Sequence, residues 1–125
     1  MRTQEIPREQ WNDFFDSFSR QHEGWLATLE VFAPDVGAQH EASQLPLEGI
    51  SISSADDDDQ IALSFGKEPE QHVTHTVNNP AHVWVETTSE GANAALQIES
   101  KDQTKTLLRF RSPVPPELVD GVVLD

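Results

Sequence analysis

From Trp25 onward the apolar pattern of this chain repeats every two residues, and turn-forming residues interrupt it about every ten, the spacing of an all-β fold. "WLATLEVF" sets Trp25, Ala27, Leu29 and Val31 against Leu26, Thr28, Glu30 and Phe32. That alternation belongs to a strand with one covered face. "APDVG" then turns the chain, with Pro34 presetting the backbone and Gly37 releasing it. "AQHEA" resumes the alternation, with Ala38, His40 and Ala42 on one side. Three further pairs of runs follow: "LEGISIS" and "QIALSF" around "SADDDD", "HVTHTV" and "HVWVETT" around "NNPA", and "AALQIES" and "KTLLRFR" around "KDQT". Each pair reads as a hairpin. No helix-length segment lies between strands, so parallel βαβ units are excluded. The expectation is a mainly β domain, an antiparallel barrel or sandwich of seven to eight short strands over residues 25–112.

One segment has the other period. In "EIPREQWNDFFDSFSRQHEG", Trp11, Phe14, Phe15 and Phe18 fall at i, i+3, i+4 and i+7, which predicts an amphipathic helix over about residues 7–23. Pro7 suits its first position and Gly24 its stop. Glu9 at the start, and Arg20 and His22 at the end, complement the helix dipole. Four aromatics on one face call for docking onto the sheet; exposed, Trp11, Phe14 and Phe18 would form a surface for a partner. The segment after the last strand, "SPVPPELVDGVVLD", is proline-stiffened and then apolar, and Leu118 and Val119 are its candidate contacts with another subunit.

"HVTHTVNNPAHVW" holds three of the five histidines. Residues i and i+3 of a strand point to opposite faces, so His72 and His75 stand back to back, roughly 10 Å apart along the strand. Zinc holds imidazole nitrogens at about 2.0–2.1 Å, which these two cannot share. A hairpin that aligns Val73, Val77, Val83 and Val85 on one face pairs His75 with Val83, Thr76 with His82 and His72 with Glu86, and separates His75 from His82. His75 is then left half-buried among valines, and His40 sits similarly between alanines. A small ligand or a metal held by His40 and His75 is the chemistry this pattern leaves open.

Other signals are weaker. Asp56–Asp59 lack the alternating ligands and glycine of a calcium loop and read as a solvated tip. There is no nucleophile elbow, no phosphate-binding glycine loop and no cysteine, so thiol chemistry, disulfides and Cys-based zinc sites are excluded. Glu30 and Glu48 are the acids in apolar strand contexts. Arg109 and Arg111 share one face of the last strand, serving ion pairs or gripping an anion. With 22 acidic against 8 basic residues the net charge is −14, which opposes binding to nucleic acid or an anionic membrane. The N-terminus has no apolar signal core, no stretch is long enough to span a bilayer, and a cytoplasmic, soluble protein is expected. At 125 residues the chain fits one domain.

The chain from "EIPREQWNDFFDSFSRQHEGW" through "GAQHEASQLPLEGI", "HVTHTVNNPAHVWV" and "ALQIES" to "LLRFRSP" resembles a small bacterial family of unknown function, the DUF5335 family. The likeness includes the opening Pro-x-x-x-Trp helix. It implies a bacterial, single-domain, soluble protein and brings no activity, cofactor or catalytic residue. The residues themselves favour a non-catalytic binding or interaction module, with a protein partner or a second copy of the chain and no cofactor. A role in stress or salt tolerance suits the acidity. A ligand- or metal-binding β domain using His40 and His75 is the alternative, and an enzyme the third reading.

Overall fold

The structure, a computed structural model, describes residues 2–35, 37–55, 58–66, 72–89 and 91–110, the side chains of 40–43, 54, 55 and 58 excepted. Its elements are strand β1 (Arg2–Glu5), a 3-10 turn at Arg8–Gln10 leading directly into helix α1 (Trp11–His22), and seven more strands. These are β2 (Leu26–Ala33), β3 (Gly37–Ala55), β4 (Asp58–Phe65), β5 (Val73–Asn78), β6 (Pro80–Thr87), β7 (Asn93–Ser100) and β8 (Lys105–Phe110). Every pairing is antiparallel, and the order is β1-β6-β7-β8-β2-β3-β4-β5. Among the described residues no ladder joins the terminal strands β1 and β5, so the sheet does not close into a barrel.

The bend that folds this sheet over itself is built into β3. Opposite β2, Leu29 pairs with Ala42 and Glu30 with His40; opposite β4, Leu47 pairs with Phe65 and Gly49 with Ser64. Each step accommodates an unmatched residue, and such bulges bend the strand and increase its twist. Gln44 adds a left-handed φ of 56° between the two halves. The strand therefore serves β2 with its first half and β4 with its second. The bulge at Glu41 also breaks the simple Ala38–His40–Ala42 alternation read from the sequence.

The two halves share one core. Leu96, Ile98, Val83, Val85 and Leu108 meet Ile61, Leu63, Phe65 and Val77, and α1 supplies Trp11, Phe15 and Phe18. Trp11 and Phe18 are each 2% exposed, so the aromatic stripe packs into the fold; Phe14 is half-buried against the same cluster. Hydrogen bonds set the depth of the helix. The Trp11 indole N–H donates to the Ile6 carbonyl at 2.9 Å, and Ser19 Oγ accepts from the Ile50 N–H at 2.8 Å while donating to its carbonyl at 3.1 Å. Gly24, at φ 88°, ends the helix as expected, whereas Pro7 stands one place before the 3-10 turn, with extended backbone, and the α-helix proper starts only at Trp11.

The pairings of β2 with β3, β3 with β4 and β7 with β8 are those read from the sequence. That of residues 73–78 with 80–87 is not: β5 pairs with β4, and β6 with β1 and β7. The turn is a corner made by Asn79 alone, at φ 54°. Its N–H donates to the Asp59 carbonyl at 2.9 Å and its carbonyl accepts from the Lys101 N–H at 3.0 Å, tying both halves of the sheet to one residue. Val77, Val83 and Val85 do point inward together, but they converge on the core from opposite halves. No helix of the described residues is long and apolar enough to cross a membrane.

Candidate functional site

The strands β1, β6, β7, β8 and β2 turn one face to the core and the other away from it. Cross-strand register arranges the second face in rows. One row runs Thr3, Glu86, Ala95, Arg109 and Thr28; the next runs Glu5, Trp84, Gln97, Leu107 and Glu30. Ala95 is the smallest side chain of the first row, and its longer neighbours Glu86 and Arg109 leave it 7% exposed at the bottom of a groove. Thr3, Trp84, Glu86, Ala95, Gln97 and Leu107 line a cavity of about 220 Å³. A second cavity, of about 410 Å³, shares Glu86, Ala95, Gln97 and Leu107 and extends the groove to Arg109 and Phe110.

The chemistry of the groove is mixed. Trp84 and Leu107 are half-buried and form apolar walls. Glu86 and Arg109 stand on either side of Ala95, and neither has an ion pair among the described residues. At the rim His82 stacks on Trp84 with ring centroids 5.2 Å apart, and its Nδ1 donates to Glu5 Oε2 at 2.8 Å. Arg109 was legible as a candidate binding residue from its strand position. Trp84, Glu86 and Gln97 were missed, because their convergence depends on which strands neighbour one another.

His72, His75 and His82 do not converge. His72, exposed, pairs with Glu48 at 3.0 Å rather than facing Glu86. His75 is half-buried on β5, across from Leu63 of β4, and not beside Val83. His40 pairs through its backbone with Glu30; its side chain lies outside the description. Arg111, Leu118 and Val119 lie outside the described residues, as do Asp56 and Asp57. Asp59, at the end of the acidic run, binds Arg8 at 2.9 Å, and the Arg8 guanidinium lies 4.8 Å from the Trp11 ring.

His22 stands in the last turn of α1, the position read from the sequence as complementing the helix dipole. It is fully buried. Its ring stacks on Phe110 at 4.8 Å, lies 4.3 Å from Phe18 and meets Trp25 edge-on at 4.6 Å. Nδ1 donates to the Phe18 carbonyl at 2.7 Å, which leaves Nε2 to accept from the Asn93 amide at 3.4 Å. Burial holds its pKa below the ordinary histidine value, against the opposing pull of the Phe18 carbonyl. The neutral tautomer satisfies both ring nitrogens, so this histidine is a polar element of the core.

The profile of a family described as "Family of unknown function (DUF5335)" matches residues 2–117. An "Uncharacterized protein" of Aquifex aeolicus (strain VF5) is 30% identical over 115 residues, which cover 92% of this chain and 97% of that relative. No solved structure matches the chain. The profile spans the helix, all eight strands and both sides of the groove, and the chain belongs to the DUF5335 family, a family of unknown function.

Proposed function

We propose that the protein is a non-catalytic binding module and that its binding surface is the outer face of β1, β6, β7, β8 and β2. The observation that carries this reading is the groove over Ala95. An aromatic wall, an amide and two charged groups of opposite sign converge there, and neither charged group has an ion pair among the described residues. Convergent polar groups beside apolar walls are the usual composition of a ligand site. Trp84 and Arg109 are also residue types that carry much of the energy in recognition surfaces. The acidity of the chain suits a salt-stressed setting, in which case low salt unfolds the protein and molar salt restores it.

The binding reading is tested by screening small fragments and host extracts against the ¹⁵N-labelled protein. Amide shifts are expected at Thr3, Trp84, Ala95, Gln97 and Leu107, and they should vanish in a folded Trp84→Ala variant. Ligands or partners that map only to other surfaces would overturn it.

A further inference from the structure

Resting on that reading, we infer that the groove takes a small zwitterion, its cationic end on Glu86 and its anionic end on Arg109. Both residues pair with Ala95, one from β6 and one from β8. Directly opposed residues of antiparallel strands have Cα atoms about 4.5–5.5 Å apart, so the two backbones stand on the order of 10 Å apart with one methyl group between them. Strand side chains stand roughly perpendicular to the sheet, so the two charges keep about the separation of their backbones, and charge-assisted hydrogen bonds of about 2.8 Å at each end leave roughly 4–5 Å between the charged ends of the ligand. That gap is too wide for an α-amino acid and suits one with its amine on the third or fourth carbon of the chain.

The remaining walls agree with this class. Trp84 and Leu107, in the adjacent row, offer apolar surface to the methylenes between the charges. Trp84 also presents a ring near the Glu86 end, where a cation over its face is further stabilised. A ligand carrying only negative charge meets the field of a chain at −14. One carrying only positive charge meets Arg109. A zwitterion satisfies both groups and brings no net charge. The cavity that Glu86 and Arg109 line together, about 410 Å³, lies at the lower end of the roughly 300–1,000 Å³ of small-molecule sites, which fits a small metabolite.

The experiment titrates the whole ¹⁵N-labelled chain with glycine, 3-aminopropionate, 4-aminobutyrate and 6-aminohexanoate, and with butyrate and butylamine as singly charged controls. The proposal expects groove amides to respond, affinity to peak at 4-aminobutyrate or its nearest neighbour in the series, and both controls to bind at least tenfold more weakly. Glu86→Gln and Arg109→Gln should each weaken the best ligand tenfold or more. The double variant Glu86→Arg with Arg109→Glu should restore binding with the ligand reversed. Equal affinity along the series, or equal binding of either control, would overturn the proposal. If zwitterions leave the groove amides unmoved while an uncharged aromatic fragment shifts them, the zwitterion proposal falls and the binding module stands. If no probe or host component shifts them, both fall.

Discussion

Strands β7 and β8 meet two environments with alternate residues. Toward the core they present Leu96, Ile98, Leu108 and Phe110, each nearly or fully buried, and Phe18 and His22 of α1 stack on Phe110. Away from it they present Ala95, Gln97, Leu107 and Arg109, side chains that differ in length and charge and cannot close into a smooth layer. Each face holds a histidine against aromatic rings, and the two histidines differ in kind. His22 has lost water and keeps both nitrogens bonded inside the protein. His82 stacks on Trp84 with its side chain about half exposed. Removal from water, rather than contact with an aromatic ring, thus separates a core histidine from a surface one.

The sharpest way to break this contrast is to truncate a tryptophan on each side. Trp11→Ala removes a side chain that is 2% exposed and hydrogen-bonded to Ile6, and it should cost about 3–5 kcal/mol in urea denaturation. Trp84→Ala should cost less, because Trp84 is only partly buried and lies outside the core cluster, while abolishing binding at the groove. Similar losses in the two variants would make the outer face structural and remove the contrast.

pH supplies the next effect in size. Because the folded state holds the His22 pKa below its ordinary value, the unfolded chain takes up this proton first as pH falls. The contribution of His22 to stability is therefore complete above about pH 6.5 and is lost progressively below it. Denaturation midpoints of the wild type should drop between pH 7.5 and 5.5 more steeply than those of His22→Phe. Parallel slopes would mean that the ring accepts a proton in place.

These regions were legible to different degrees. The aromatic stripe of α1, the stop at Gly24 and the inward valines are local patterns, and local sterics and burial enforce them. Strand partnership is not local. The same inward valines fit a hairpin or a corner equally well, and only the left-handed Asn79, bonded to Asp59 and Lys101, directs β6 away from β5. β1 was missed because all four of its residues are exposed and carry no alternation. The groove was invisible for the same reason as the corner: Thr3, Trp84 and Gln97 come from three strands whose neighbours the sequence does not name. The last-turn position of His22 was legible, but its burial was not, because that depends on Phe110 and Asn93, far along the chain.

A smaller effect lies on the inner face. The Thr106 hydroxyl is buried without a hydrogen-bond partner among the described residues. A buried polar group left unpaired costs about 1–3 kcal/mol, so Thr106→Val, close in shape, should raise stability by about 1 kcal/mol. A loss on this substitution would show that the hydroxyl is bonded through water and that the core is less dry than its other side chains indicate.

The smallest effect belongs to the outer histidine. His82 and Glu5 lie 2.8 Å apart, but their side chains are 49% and 51% exposed, and water competes for both partners. Exposed pairs of this kind contribute about 0–1 kcal/mol and weaken with salt. His82→Ala should therefore change stability by less than about 1 kcal/mol and leave the midpoint in molar salt where the wild type has it. The pair also joins edge strand β1 to β6, so a larger loss would have a definite meaning. It would show that β1, whose residues bury nothing of their own, is held to the sheet by this contact, and that the wall of the groove at Thr3 depends on it. The contrast between the faces would then be one of degree, with part of the outer face stabilising the fold as the inner face does.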